Sequence, residues 1–201
     1  MNWTVSNQLT AARVLLIPLF ALVFYLPGRV GHMGSAALFA LAAATDWLDG
    51  YLARSRNEVT AFGRFLDPVA DKLLVATALT LLVEAGHAPA LLAAIIIGRE
   101  IVISALREWL AHASSIVHVS WLGKWKTAVQ MAAILLLLLH ERLFGVDMHL
   151  AGMALLWMAA LLTLWSAWEY LSNAWDELIQ PSTPQKTNPP TGKDNQTETQ
   201  D

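Results

Sequence analysis

Asp46-Trp47-Leu48-Asp49-Gly50-Tyr51-Leu52-Ala53-Arg54, then eight residues, then Gly63-Arg64-Phe65-Leu66-Asp67-Pro68-Val69-Ala70-Asp71: the reading of this chain turns on these two runs. They set four carboxylates in or beside long apolar segments. An ionisable group at membrane depth is costly, and by default it marks a functional site. Asp46 and Asp49 are three apart, and Asp67 and Asp71 are four apart, so each pair shares one helix face. Two helices meeting near Gly50 and Gly63 would bring all four carboxylates to one point. Four like charges that close repel strongly, so a multivalent cation or several protons must balance them. Ligation wholly by oxygen suits Mg²⁺ or Mn²⁺ better than zinc, and the chain has no cysteine to argue otherwise.

Outward from this stretch, the composition is that of a membrane protein. Of 201 residues 56% are hydrophobic and only 14% charged, and the apolar residues come in blocks long enough to span a hydrocarbon core. The net charge of −3 does not suggest a nucleic-acid partner. The absence of cysteine excludes disulfides, iron–sulfur clusters and thiol catalysis. Nine tryptophans fit anchoring at a membrane–water interface, with some in the core.

The apolar pattern predicts six helical spans, at about 8–26, 34–54, 66–85, 89–112, 123–140 and 149–172. Pro27-Gly28 ends the first, which is read as an uncleaved helix. Pro89 opens the fourth. Pro68 suits the first turn of the third, with Asp67 before it as an N-cap. The expected domain is 1–175. Residues 176–201 read as a disordered polar tail, since they carry too little apolar surface to fold alone. Six spans put both termini on one side. Arg54, Arg56, Arg64, Lys72, Lys124 and Lys126 lie on or near that side, and positive residues favour the cytoplasm. The termini and the aspartates are therefore expected to face it.

The remaining charges admit two readings each. The aspartates are helix-end charges paired with Arg64 and Lys72, or metal ligands; four of them at paired spacing favour the second. Gly50 and Gly63 allow tight helix packing, or leave room, with Ala53, for a large ligand beside the metal. Arg99-Glu100 is a structural ion pair, or Arg99 joins Arg107 and Lys124 in clamping a phosphate. Lys126, two residues from Lys124, is expected to point elsewhere, toward lipid phosphate. The histidines at 32, 87, 112, 118, 140 and 149 show no ligand spacing and read as interfacial.

The aspartate stretch resembles the signature of the CDP-alcohol phosphotransferase family, Asp-x2-Asp-Gly-x2-Ala-Arg-x8-Gly-x3-Asp-x3-Asp. Every fixed position matches: Asp46, Asp49, Gly50, Ala53, Arg54, Gly63, Asp67 and Asp71. The resemblance narrows through Asn7-Gln-Leu-Thr10-Ala-Ala-Arg13, Phe65 to Lys72, Arg99 to Glu108 and Gly123 to Thr127, and it covers about residues 5–172. It implies an all-α integral membrane protein of six transmembrane helices, usually a homodimer, around a cytoplasm-facing polar cavity in the bacterial inner membrane. It also implies a reaction: CDP-diacylglycerol and sn-glycerol 3-phosphate give phosphatidylglycerol phosphate and CMP. By the family pattern Asp46, Asp49, Asp67 and Asp71 hold one or two divalent ions (Mg²⁺ or Mn²⁺), and Asp71 is the general base. Gly50, Ala53, Arg54 and Gly63 correspond to the CDP site, with Thr60 at a further CDP-contacting position. Arg99, Arg107 and Lys124 would then hold the phosphate of glycerol 3-phosphate.

Three alternatives stand beside this reading. A sister enzyme would use another acceptor, such as inositol phosphate, serine or phosphatidylglycerol; three cations favour a phosphorylated one. A cation channel or transporter would pass metal without releasing CMP. A non-catalytic scaffold would have no use for an intact Asp71.

Overall fold

The computed structural model describes residues 5–56, 61–112, 122–140, 142–143 and 145–179. Six helices follow one another: α1 (Val5–Phe24), α2 (Gly28–Arg56), α3 (Ala61–Glu84), α4 (Ala90–His112), α5 (Leu122–Leu139) and α6 (Met148–Ile179). Two short strands, β1 (Arg142–Leu143) and β2 (Val146–Asp147), pair antiparallel between α5 and α6. The helix count agrees with the hydropathy pattern, but α2, α3 and α6 run further than their apolar blocks. Helical hydrogen bonding does not stop where side chains turn polar, so apolar blocks mark where helices pack and not where they end.

Pro68 lies well inside α3, because that helix starts at Ala61. Asp67 is therefore a mid-helix residue and not the expected N-cap. The tail predicted from 176 begins on α6, which continues to Ile179; the rest of it lies outside the described residues.

Local chemistry fixes the turns at one end of the bundle. Gly28 and Gly86 adopt φ of 69° and 73°, a left-handed backbone that glycine takes without strain. At the end of α3 the amide of Gly86 donates to Val83 O (3.0 Å) and that of His87 to Leu82 O (2.8 Å). This is a Schellman cap, and it satisfies carbonyls that the helix end would leave unpaired. In the β1–β2 hairpin Gly145 takes φ of 82°. Asp147 then caps α6, its Oδ1 accepting the Leu150 amide at 3.1 Å.

The core lies between the helices. Phe20, Phe39, Leu74, Leu79, Leu82, Leu92, Ile96, Ile134 and Leu137 are essentially fully buried. Phe20 of α1 and Phe39 of α2 meet with ring centroids 6.2 Å apart. At Gly152 a β-carbon would stand 2.9 Å from Leu137 Cγ and 3.0 Å from its backbone nitrogen, so α5 and α6 approach as closely as only glycine permits. The outer surface is apolar, with Leu15, Leu22, Leu161, Trp165 and Trp168 exposed. Among the described residues, Met148–Ser172 of α6 is long and apolar enough to cross a membrane by itself; Ala11–Phe24 and Trp125–Leu139 are shorter apolar stretches.

The histidines depart from their expected isolation. His32 at the start of α2, His87 after α3, His140 after α5 and His149 at the start of α6 come together at one end of the bundle, with neighbouring ring centroids 3.7–6.3 Å apart. His112 and His118 lie outside the described side chains.

Candidate active site

The backbone carries the four aspartates to matching depth. Asp49 and Asp46 precede the last residue of α2 by seven and ten positions; Asp67 and Asp71 follow the first residue of α3 by six and ten. At ~1.5 Å per residue, both pairs lie roughly 10–15 Å along their helices from the connection between them. Gly50, Ala53 and Arg54 occupy the last two turns of α2, and Gly63 the first turn of α3. The side chains at 46–56 and 61–68 lie outside the described residues, as does Thr60 altogether.

Asp71 is the aspartate whose surroundings are described. It lies on the wall of a pocket of about 250 Å³ between α3, α4 and α5. Val69, Leu73, Ile97 and Met131 make much of that wall apolar, while Asp71, Lys72, Glu100, Thr127 and Gln130 supply its polar groups. Gln130 is 4% exposed, and its Oε1 is buried without a hydrogen-bond partner. A buried acceptor of this kind is costly to leave unpaired, so it is available to a ligand hydroxyl or ammonium donor.

Glu100 links the pocket to a cationic network. Its Oε1 accepts from Arg99 Nη1 at 3.0 Å and from Lys126 Nζ, and Arg99 Nη2 donates to Ser166 Oγ at 2.7 Å. One carboxylate therefore sits between two cations, leaving the group with a net positive charge. Arg107, eight residues along α4, places its guanidinium 5.8 Å from the Tyr170 ring centre. Arg99 and Arg107 thus meet α6 four residues apart, at Ser166 and Tyr170, and share a side of α4.

Lys126 overturns its expected role. It is buried to 5% exposure and bound to Glu100, not directed to lipid phosphate. Two residues on a helix differ by about 200°, which rightly separates Lys126 from Lys124. The face that Lys126 occupies looks inward to α4. Lys124 lies in the first turn of α5, with its side chain outside the described residues. Ser166 and Gln130 are the members of this region that the sequence did not single out; Glu100 entered it only as a partner of Arg99, and Lys126 only as a lipid-facing cation. Lys126 and Gln130 are four apart on α5, a spacing that puts them on one face, but nothing local says that the face is buried.

Comparison with known proteins settles the family. The profile of the CDP-alcohol phosphatidyltransferases matches residues 3–165. The chain belongs to this family. It is 50% identical over 183 residues to the CDP-diacylglycerol–glycerol-3-phosphate 3-phosphatidyltransferase of Escherichia coli (strain K12), covering 89% of this chain and 99% of that protein. The protein of the same name from Salmonella typhimurium (strain LT2) is similar to the same extent.

The family implies a divalent cation. The donor set fits one, because Asp46, Asp49, Asp67 and Asp71 offer only carboxylate oxygens, the ligands that hard cations take. No group of three or more metal-ligating side chains is gathered among the described residues, and of the four aspartates only Asp71 has its side chain described.

Proposed function

We propose that this protein transfers the phosphatidyl group of CDP-diacylglycerol to sn-glycerol 3-phosphate, forming phosphatidylglycerol phosphate and releasing CMP. The observation that carries the reading is the pocket wall shared by Asp71 and Glu100. It joins a carboxylate of the family signature to the cation network of Arg99 and Lys126. The similarity to the two named phosphatidyltransferases supports the choice of substrates.

In this reading Asp46, Asp49, Asp67 and Asp71 hold one or two Mg²⁺ or Mn²⁺ ions. A divalent ion bound there supplies positive charge against the pyrophosphate of the nucleotide. Gly50, Ala53, Arg54, Thr60 and Gly63 line the CDP site. Asp71 accepts the proton of the glycerol C1 hydroxyl. That hydroxyl is a poor nucleophile until a base takes its proton. Its oxygen then bonds to the phosphatidyl phosphorus as the bond to CMP breaks. Arg99, Arg107 and Lys124 hold the acceptor phosphate, and Glu100 keeps Arg99 in place. The apolar pocket wall suits a substrate whose tails stay in lipid. We further infer that all six helices span the inner membrane, with the termini and the site on the cytoplasmic side, and that the protein works as a homodimer.

A membrane assay of labelled glycerol 3-phosphate incorporation tests the reaction. Product should require both CDP-diacylglycerol and a divalent ion. Incorporation of serine without use of glycerol 3-phosphate would assign the protein to a sister activity.

A further inference from the structure

We propose that His32, His87, His140 and His149 form a binding site for a divalent transition-metal ion of the zinc, nickel and copper group, separate from the aspartates. His32 lies 14 residues before Asp46 on one helix, and His87 lies 16 residues after Asp71, so the two clusters are roughly 20–25 Å apart.

Four separate chain segments converge to make the cluster. His140 and His149 have ring centroids 5.0 Å apart, His32 and His140 5.9 Å, His87 and His149 6.0 Å, and His32 and His87 6.3 Å. Imidazoles bound tetrahedrally through nitrogens at ~2.0–2.1 Å have centroids roughly 5 Å apart. His140 and His149 already stand at that separation. His87 and His140 are stacked at 3.7 Å, with planes 12° apart. No three side chains among the described residues yet surround a common point. To take the spacing of bound rings this pair must open by about 1 Å or more along the line of centres, and the rings must turn so that a nitrogen of each faces a common point.

Two further observations point to a ligand. The Nδ1 atoms of His32 and His149 are buried without a hydrogen-bond partner. A buried ring nitrogen is normally paired, so these two are suited to coordination. His140 also takes a left-handed backbone, with φ of 50°, at a helix end where glycine is usual. A side chain there is strained, and such strain collects at functional positions. Imidazole nitrogens select zinc, nickel or copper over Mg²⁺ and Ca²⁺.

The test uses the full chain, purified in detergent with excess Mg²⁺ to saturate the aspartates. Calorimetric titration with Zn²⁺ and with Ni²⁺ should show one ion per chain. Affinity should fall at least tenfold in His149→Ala and be lost in the double variant His140→Ala, His149→Ala, yet persist in Asp71→Asn. No stoichiometric binding, or equal binding by the double variant, would overturn the proposal. X-ray absorption on the zinc-loaded wild type keeps the test open if the variants fail to fold. A shell containing imidazole nitrogens is the expected result, and an all-oxygen shell refutes the site.

Discussion

The two ends of the helix bundle collect titratable side chains in different ways. At one end, the signature aspartates lie on two helices adjoining in sequence, at fixed intervals from the connection between α2 and α3. At the other, four histidines arrive from four places spread over 118 positions, His32 to His149, and meet only because the helix ends meet. The first arrangement is written in sequence spacing and the second in tertiary packing. The difference has a chemical side as well: carboxylate oxygens suit hard cations, whereas imidazoles suit borderline ones.

The largest expected effect separates the ends by metal. Stripping the protein with a chelator should abolish phosphatidyl transfer, and Mg²⁺ or Mn²⁺ alone should restore it. If zinc were needed as well, the histidine end would be part of catalysis and the contrast would fail; a rate assay with each ion added back decides. Next comes Asp71→Asn, which removes a base while keeping size and polarity. Turnover should drop by about 10²–10⁴-fold, the usual worth of a positioned base. Membrane insertion and the melting temperature should hold, and retained turnover would remove Asp71 as base.

A smaller effect is expected from Glu100→Ala. It leaves Arg99 and Lys126 crowded without their shared acceptor, and about 1–3 kcal/mol of stability should be lost, with part of the penalty relieved by residual exposure. If Arg99 also holds the acceptor, KM for glycerol 3-phosphate should rise more than kcat falls; steady-state rates and thermal melting together measure both. The smallest is Gly86→Ala, which forces a β-carbon into the left-handed cap that presents His87. It should lower stability by about 1 kcal/mol and leave turnover within twofold. A large loss of turnover would show that the histidine end communicates with the site.

Much of the fold was legible because helices of this length announce themselves locally. Hydropathy blocks, Pro27-Gly28 and Pro89 marked six helices in the right order. The aspartate spacing and the fixed glycines gave the candidate site. Lys126 was misread because its distance from Lys124 tells which way it does not point, and only packing tells what it faces. Asp67 was read as a cap because Pro68 suits a first turn, but helical structure begins seven residues earlier than that proline. The histidine cluster left no trace at all in sequence spacing, since none of its members is within eight residues of another.

The contact at Gly152 bears on how a substrate can enter. With no β-carbon between them, α5 and α6 lock along a seam whose separation would violate tight atomic contacts. They act mechanically as a single beam, to which Arg99 and Arg107 fasten α4 from the side. Sliding between α5 and α6 is therefore disfavoured, and a nucleotide-bearing lipid must be admitted by movement elsewhere in the bundle.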